Sequence, residues 1–258
     1  MRRTAPALLI LALALTGCAK SGPKTGALTP AQAVRAAANT ASDTSSRMDL
    51  ITKTKVAGQD VELNGTGVFD YAKGAQVGEF TMSVAGQKVS ERIVGGVMYL
   101  QLTGQPGFYR LPLIELAGTS FGQSSNPASS AQLLEAMGDD TKKVGTETLH
   151  GAKTTHYKGA ISTAKAKELA NGDLAKKSVQ KLIDGGVTEI PADAYVDDQG
   201  RLRRLVENFT LTIKGTQANV STQLDIYDFG VAVHVQQPPA DQVKDGTQIL
   251  QLIRSQAG

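Results

Sequence analysis

The stretch that decides the fold is FTMSVAGQKVSERIVGGVMYLQL, residues 80–102. Phe80, Met82 and Val84 fall on every second position, Val89, Glu91 and Ile93 do the same, and an apolar run follows from Val97. A period of two marks a strand with one buried face, because successive side chains point to opposite sides. Ala85-Gly86-Gln87 and Gly95-Gly96 separate the three runs. Glycine supplies the positive φ that tight hairpins need. Connections this short leave no room for a crossover helix, so the strands must run antiparallel.

The same period extends in both directions. Met48 and Leu50 alternate with polar neighbours, and Val61, Leu63, Val68 and Tyr71 read as a long strand bent or bulged at Gly65 and Gly67. Phe108 to Leu111 adds another strand. Further on, strands are predicted over 146–162 and 190–196, the latter ending in the turn Asp197-Asp198-Gln199-Gly200. One long strand over 202–213, bulged near Asn208, is followed by 220–226 and by Val231, Val233 and Val235, with Pro238-Pro239 closing the sheet. Helices are predicted at five places. The first has Thr29 as cap and Pro30 in its first turn, and the others cover about 129–137, 163–170, 174–183 and 247–254. The order is α+β around a large antiparallel sheet. With 27 glycines and no Trp, the layers read as weakly filled, which leans toward a curled sheet with space beneath it.

The chain opens with Arg2 and Arg3, then a nearly unbroken apolar run over 5–15. That run is too short to cross a bilayer, which takes about 20 apolar residues, and has the layout of a secretory signal. It ends in Leu15, Thr16, Gly17 and Cys18, which resemble the bacterial lipobox. The expected organisation is a signal peptide over 1–17, a lipidated Pro- and Gly-broken tether over 18–27 and one domain over 28–258. The expected location is outside the cytoplasm, held on the cell membrane by lipid on Cys18. That is the chain's only cysteine, so an internal disulfide and a thiolate metal site are excluded. Without Arg2 and Arg3, 25 basic residues face 24 acidic ones, and the formal charge falls from +3 to +1. A nucleic-acid partner loses its main support.

No catalytic constellation rises above background, and no cofactor is expected. His150 and His156 are six apart, but Gly151 interrupts them and no further ligand lies near enough in sequence for a metal site. Alternation points His234 away from Val233 and Val235. Asp139-Asp140 and Asp197-Asp198 are adjacent residues, which on a strand face opposite ways. Arg201 and Arg203 share a side, away from Arg204. An enzyme would have to gather scattered residues such as His156 and Asp225.

Binding therefore outranks catalysis. A hollow needs only an apolar lining and a mouth, and a sixteen-carbon chain entering it gains on the order of 12 kcal/mol at about 0.8 kcal/mol per methylene. The expected lining is Leu50, Phe80, Met82, Val84, Leu133, Met137, Leu182, Leu211 and Leu224. The alternative is an envelope interaction or sensor lipoprotein built on the same sheet without a ligand cavity.

Several motifs carry a family resemblance: the lipobox, Leu28-Thr29-Pro30, and Gly67-Val68-Phe69-Asp70. Further on come Ile190-Pro191-Ala192-Asp193-Ala194-Tyr195-Val196-Asp197 with Gly200-Arg201-Leu202-Arg203-Arg204, and Tyr227-Asp228-Phe229-Gly230 before Pro238-Pro239-Ala240-Asp241-Gln242-Val243. Together they resemble the LppX/LprG group of actinobacterial lipoproteins, whose fold is similar to that of LolA and LolB. The resemblance implies a half-open, barrel-like curved antiparallel sheet with helices over its concave face. It also implies acylated lipids or glycolipids as ligands, lipid-export machinery as a partner, a monomeric domain and no catalytic residues.

Overall fold

A computed structural model describes residues 28–41, 43–71, 77–84, 86–116, 127–213 and 215–257. The expected signal peptide, lipobox and tether lie outside these residues. Among the described residues, no helix is long and apolar enough to cross a membrane.

The 80–102 stretch forms the predicted meander. Its strands are β3 (Val77–Val84), β4 (Gln87–Val94) and β5 (Val97–Leu102), each antiparallel to the next. Before them stand β1 (Ser46–Val56) and β2 (Gln59–Asp70), and after them β6 (Phe108–Pro112). A second meander contains β7 (Lys142–Leu149), β8 (Ala152–Ser162), β9 (Glu189–Asp197), β10 (Leu202–Ile213) and β11 (Thr216–Tyr227). A short β12 (Val243–Asp245) follows near the end. One twelve-stranded sheet results, in the order β12-β6-β5-β4-β3-β2-β1-β11-β10-β9-β8-β7. The two meanders meet where β1 pairs antiparallel with β11.

This order corrects the half-open barrel implied by the resemblance. The sheet runs from β12 to β7 without those edges pairing, so it is open and not closed into a barrel or strongly curved. Nor is it purely antiparallel, because β12 pairs parallel with β6. Gly65 and Gly67 neither bend nor bulge the strand, contrary to the pattern in the sequence. β2 pairs in unbroken register with β1 and β3 through Gly65 and Gly67. A Cβ at Gly65 would stand 2.3 Å from the Phe80 ring, and one at Gly67 2.4 Å from it. These glycines seat an aromatic ring flat on the strand. Phe69 occupies the same relation to Gly78.

Two other expectations shift. In β10 the irregularity falls between Leu202 and Arg204, not near Asn208. Residues 231–239 form no strand despite their alternating valines. The chain must travel there from β11 to β12, seven strand positions along the sheet. At about 4.8 Å per strand that is roughly 34 Å, so this segment runs across the strands and its N–H groups cannot join a ladder.

The helices are α1 (Pro30–Thr40), α2 (Pro127–Leu133), α3 (Thr163–Leu169), α4 (Gly172–Asp184) and α5 (Thr247–Ala257). Thr29 and Gln32 form a reciprocal capping box at the start of α1. Its small face of Ala31, Val34, Ala37 and Ala38 is buried, and α1 packs on the 134–136 turn, β9 and β10. Arg35 locks this cover by donating from Nε to the Met137 carbonyl at 3.0 Å and from Nη2 to Asp139 at 2.6 Å. The end of α4 is tied to the sheet where the Thr212 N–H donates to the Gly185 carbonyl at 2.8 Å.

Candidate functional site

Residues opposite one another across a ladder share a face, so the register sorts the sheet into rows. Leu205, Leu224, Leu50, Gly65 and Met82 form one row. Ile226, Met48, Gly67, Phe80 and Glu91 form the next. Both lie on the face that holds the core. Leu50, Phe80, Met82 and Leu224 are buried there, and Met137 and Leu182 join the same cluster. Leu133 and Leu211 are half-buried against it. Val84 ends β3, and its side chain lies outside the described residues. Eight of the nine expected lining residues thus meet in one apolar cluster.

An open groove of about 790 Å³ lies beyond that cluster, at the ends of β1, β2, β10 and β11. Three adjacent rows border it, and none of the nine expected residues is among them. The middle row is Phe209, Val220, Thr54 and Val61, on the same face as Leu50 and Leu224. Phe209 packs against the core, while Val61 is exposed. The rows on either side carry Lys53 with Glu62 and Lys55 with Asp60, pointing to the other face.

Two carboxyls sit on the apolar face. Glu91, between Phe80 and Leu100, is 1 % exposed, and Glu207, between Thr222 and Ala192, is 4 % exposed. Neither Glu91 oxygen finds a hydrogen-bond partner among the described residues, and Glu207 Oε1 finds none either. Burial pushes both carboxyls up to about 8, because the charged form loses its hydration and gains nothing in return. The sequence held a signal for both. Glu91 is in phase with Val89 and Ile93, and Glu207 is in phase with Leu205, Phe209 and Leu211 once the irregularity lies at Arg203.

The opposite face is polar and internally matched. His156, Tyr195, Arg204, Asp225 and Asp49 follow one another across the ladders. Arg204 donates twice to Asp225, at 2.5 and 2.6 Å. His156 stands 2.7 Å from Asp193 and stacks on Tyr195 at 4.2 Å. His150 occupies the β7–β8 turn with φ +46°, stacks on Tyr227 and lies 3.4 Å from Asp225. The two histidines therefore take different carboxylates, and His156 with Asp225 makes no pair. No group of three metal-ligating side chains occurs among the described residues.

Arg201 and Arg203 do point together. Both donate to Asp197 Oδ2, at 2.9 and 2.7 Å, and both cover the Phe229 ring. Burial alone would raise the Asp197 carboxyl, but the Arg201 N–H, the two guanidinium groups and the Gln199 N–H hold it below the usual range. One turn carboxylate thus partly offsets two guanidinium groups, while Arg204 takes Asp225 on the other side.

This arrangement of sheet and cover has known counterparts. LppX of Mycobacterium tuberculosis aligns with a TM-score of 0.54 at 18% identity, over 80% of this chain and 98% of that one. LprF of Mycobacterium bovis aligns with a TM-score of 0.52 at 12% identity, over 82% and 97%. The fold is that of LppX and LprF. No family model matches the sequence. An uncharacterized 31.2 kDa protein of Streptomyces griseus is 31% identical over 150 residues, 54% of this chain and 47% of its own. The chain thus spans about half the length of that relative.

Proposed function

We propose that this chain is an exported lipoprotein, anchored to the cell membrane through lipid on Cys18, that binds acylated lipids or glycolipids and passes them on. The observation that carries the reading is the LppX-type sheet, whose covered face brings Leu50, Phe80, Met82, Leu211 and Leu224 into one apolar cluster with Leu133, Met137 and Leu182. The acyl chain would lie between that face and the helices, entering from the groove at the ends of β1, β2, β10 and β11. Apolar burial supplies the binding energy, and the bilayer offers the chain a similar gain, so exchange rather than sequestration follows. The domain would act as a monomer and pass its cargo to lipid-export machinery.

A second reading has its own support. Phe80 over Gly65 and Gly67, and Phe69 over Gly78, fill space that a cavity would use. This favours an envelope interaction or sensor lipoprotein without a ligand. Native mass spectrometry of the exported chain carrying Cys18→Ser separates the two. The carrier reading expects a co-purifying mass of one acyl lipid, released by organic solvent. Bare protein mass from cells rich in acyl lipids would reject it.

A further inference from the structure

The pair α3 and α4 is tied to the sheet at its base and stands clear at its tip. At the base the Thr163 N–H donates to the Thr188 carbonyl at 3.1 Å, and the Gly185 carbonyl accepts from Thr212. Val179 and Leu182 enter the core from the second half of α4. Over 172–178, by contrast, no described side chain is buried. The turn Ala170-Asn171-Gly172 makes the tip, and Leu169 before it is 42 % exposed. Lysines flank this leucine in both helices, Lys165 and Lys167 in α3 and Lys176 and Lys177 in α4. Lys167 donates to Gln180, while Lys176 and Lys177 are exposed and take no carboxylate partner among the described residues. Residues 163–184 hold five lysines against Glu168, Asp173 and Asp184, a formal charge of +2. The rest of the chain, without Arg2 and Arg3, has 20 basic residues against 21 acidic ones. The molecule's excess positive charge therefore sits on this hairpin.

The start of the domain shares that side of the sheet. α1 and α3 both pack on the 134–136 turn, and Leu28 leads into α1. Residues 18–27 reach at most about 35 Å when fully extended, so an anchor on Cys18 keeps the hairpin within range of lipid headgroups. We infer that the α3–α4 tip docks on the anionic surface of the membrane that holds the chain, with Leu169 entering the interface and the lysines meeting lipid phosphates. The inference rests on the anchored reading and adds an orientation to it. A tether alone lets the domain turn freely, whereas a second contact holds its covered face toward the bilayer. An exposed leucine among lysines suits an interface that is apolar below and anionic above. Leu252 is more exposed still, but it lies on α5 beside β6, nine strand positions from β8, and serves as a control.

The chain has no Trp, so Leu169→Trp and Leu252→Trp each install a single fluorescent reporter at an exposed position. The lipidated protein is reconstituted into vesicles with brominated acyl chains, made of phosphatidylcholine alone or mixed with phosphatidylglycerol. Leu169→Trp is expected to shift to the blue and be quenched in the mixed vesicles only, and Leu252→Trp to emit as in water in both. Lys176→Gln with Lys177→Gln should lower the docked-to-free ratio about 25-fold, at about fivefold per lysine near an anionic surface. Salt at 1 M, where the Debye length is about 3 Å, should release the tip while the anchor holds. Unquenched Leu169→Trp in the mixed vesicles overturns the inference while the anchored reading stands. Equal quenching at both positions overturns it too, as does quenching indifferent to phosphatidylglycerol and to the two lysines. If the protein does not float with the vesicles at all, the anchored reading falls, and the inference with it.

Discussion

Lowering the pH from 7.5 to 5.5 is expected to stabilise this protein, and the two buried glutamates set the size of the effect. Each carboxyl is raised from 4.5 to about 8 in the folded state. Between those values the folded protein keeps a proton that the unfolded chain has released. Stability is therefore complete below pH 4.5 and falls as the pH climbs to about 8. At about 1.36 kcal/mol per pH unit for each group, two groups lose roughly 5 kcal/mol between pH 5.5 and 7.5. Asp197 does not cancel this, because its depressed carboxyl withdraws stability only as the pH falls below 3.8. Urea denaturation followed by far-UV circular dichroism suits a chain without Trp. With a denaturant slope of about 2–3 kcal/mol/M, the midpoint should drop by roughly 2 M over this range. Glu91→Leu and Glu207→Leu should each remove about half of the dependence, and both together should flatten it. A wild-type midpoint that holds steady or rises between pH 5.5 and 7.5 would refute the reasoning, as would an undiminished slope in the double variant.

Two further outcomes test the packing. Gly65→Ala should destabilise by about 1–3 kcal/mol through overpacking against Phe80, and Phe80→Leu in the same chain should relieve much of that loss. Gly67→Ala should not be relieved in this way, because its Cβ also meets the Glu79 carbonyl oxygen at 2.4 Å; urea midpoints of the six chains report both cycles. Asp197→Ala strands the buried Arg203 guanidinium and should cost about 3–5 kcal/mol, read as a lowered melting temperature.

Strand identity and antiparallel pairing were legible because one buried face imposes period two on Phe80, Met82, Val89 and Ile93. The cap of α1 was legible because Thr29 and Pro30 act locally. The openness of the sheet was not, since whether β7 and β12 meet depends on contacts far apart in sequence. Gly65 and Gly67 misled because a bend and a seat for an aromatic ring demand the same residue, and only the partner strand tells them apart. Val231, Val233 and Val235 alternate as a strand would, yet the crossing to β12 overrides that pattern. At the candidate site, apolar periodicity located the covered face but drew attention to leucines and methionines. The groove at the strand ends went unread, because it depends on where four strands stop together.

The seam between β1 and β11 bears on how the molecule is made. Its partners are about 160 to 180 residues apart in the chain, so it closes only after nearly all of the domain is available. Until then the first meander presents the unpaired backbone of residues 46–56 to its surroundings, a template for mispairing with another nascent copy. Lys53 and Lys55 project from that stretch and repel a like neighbour. Assembly is thus guarded by charge during the interval in which its middle is still an edge.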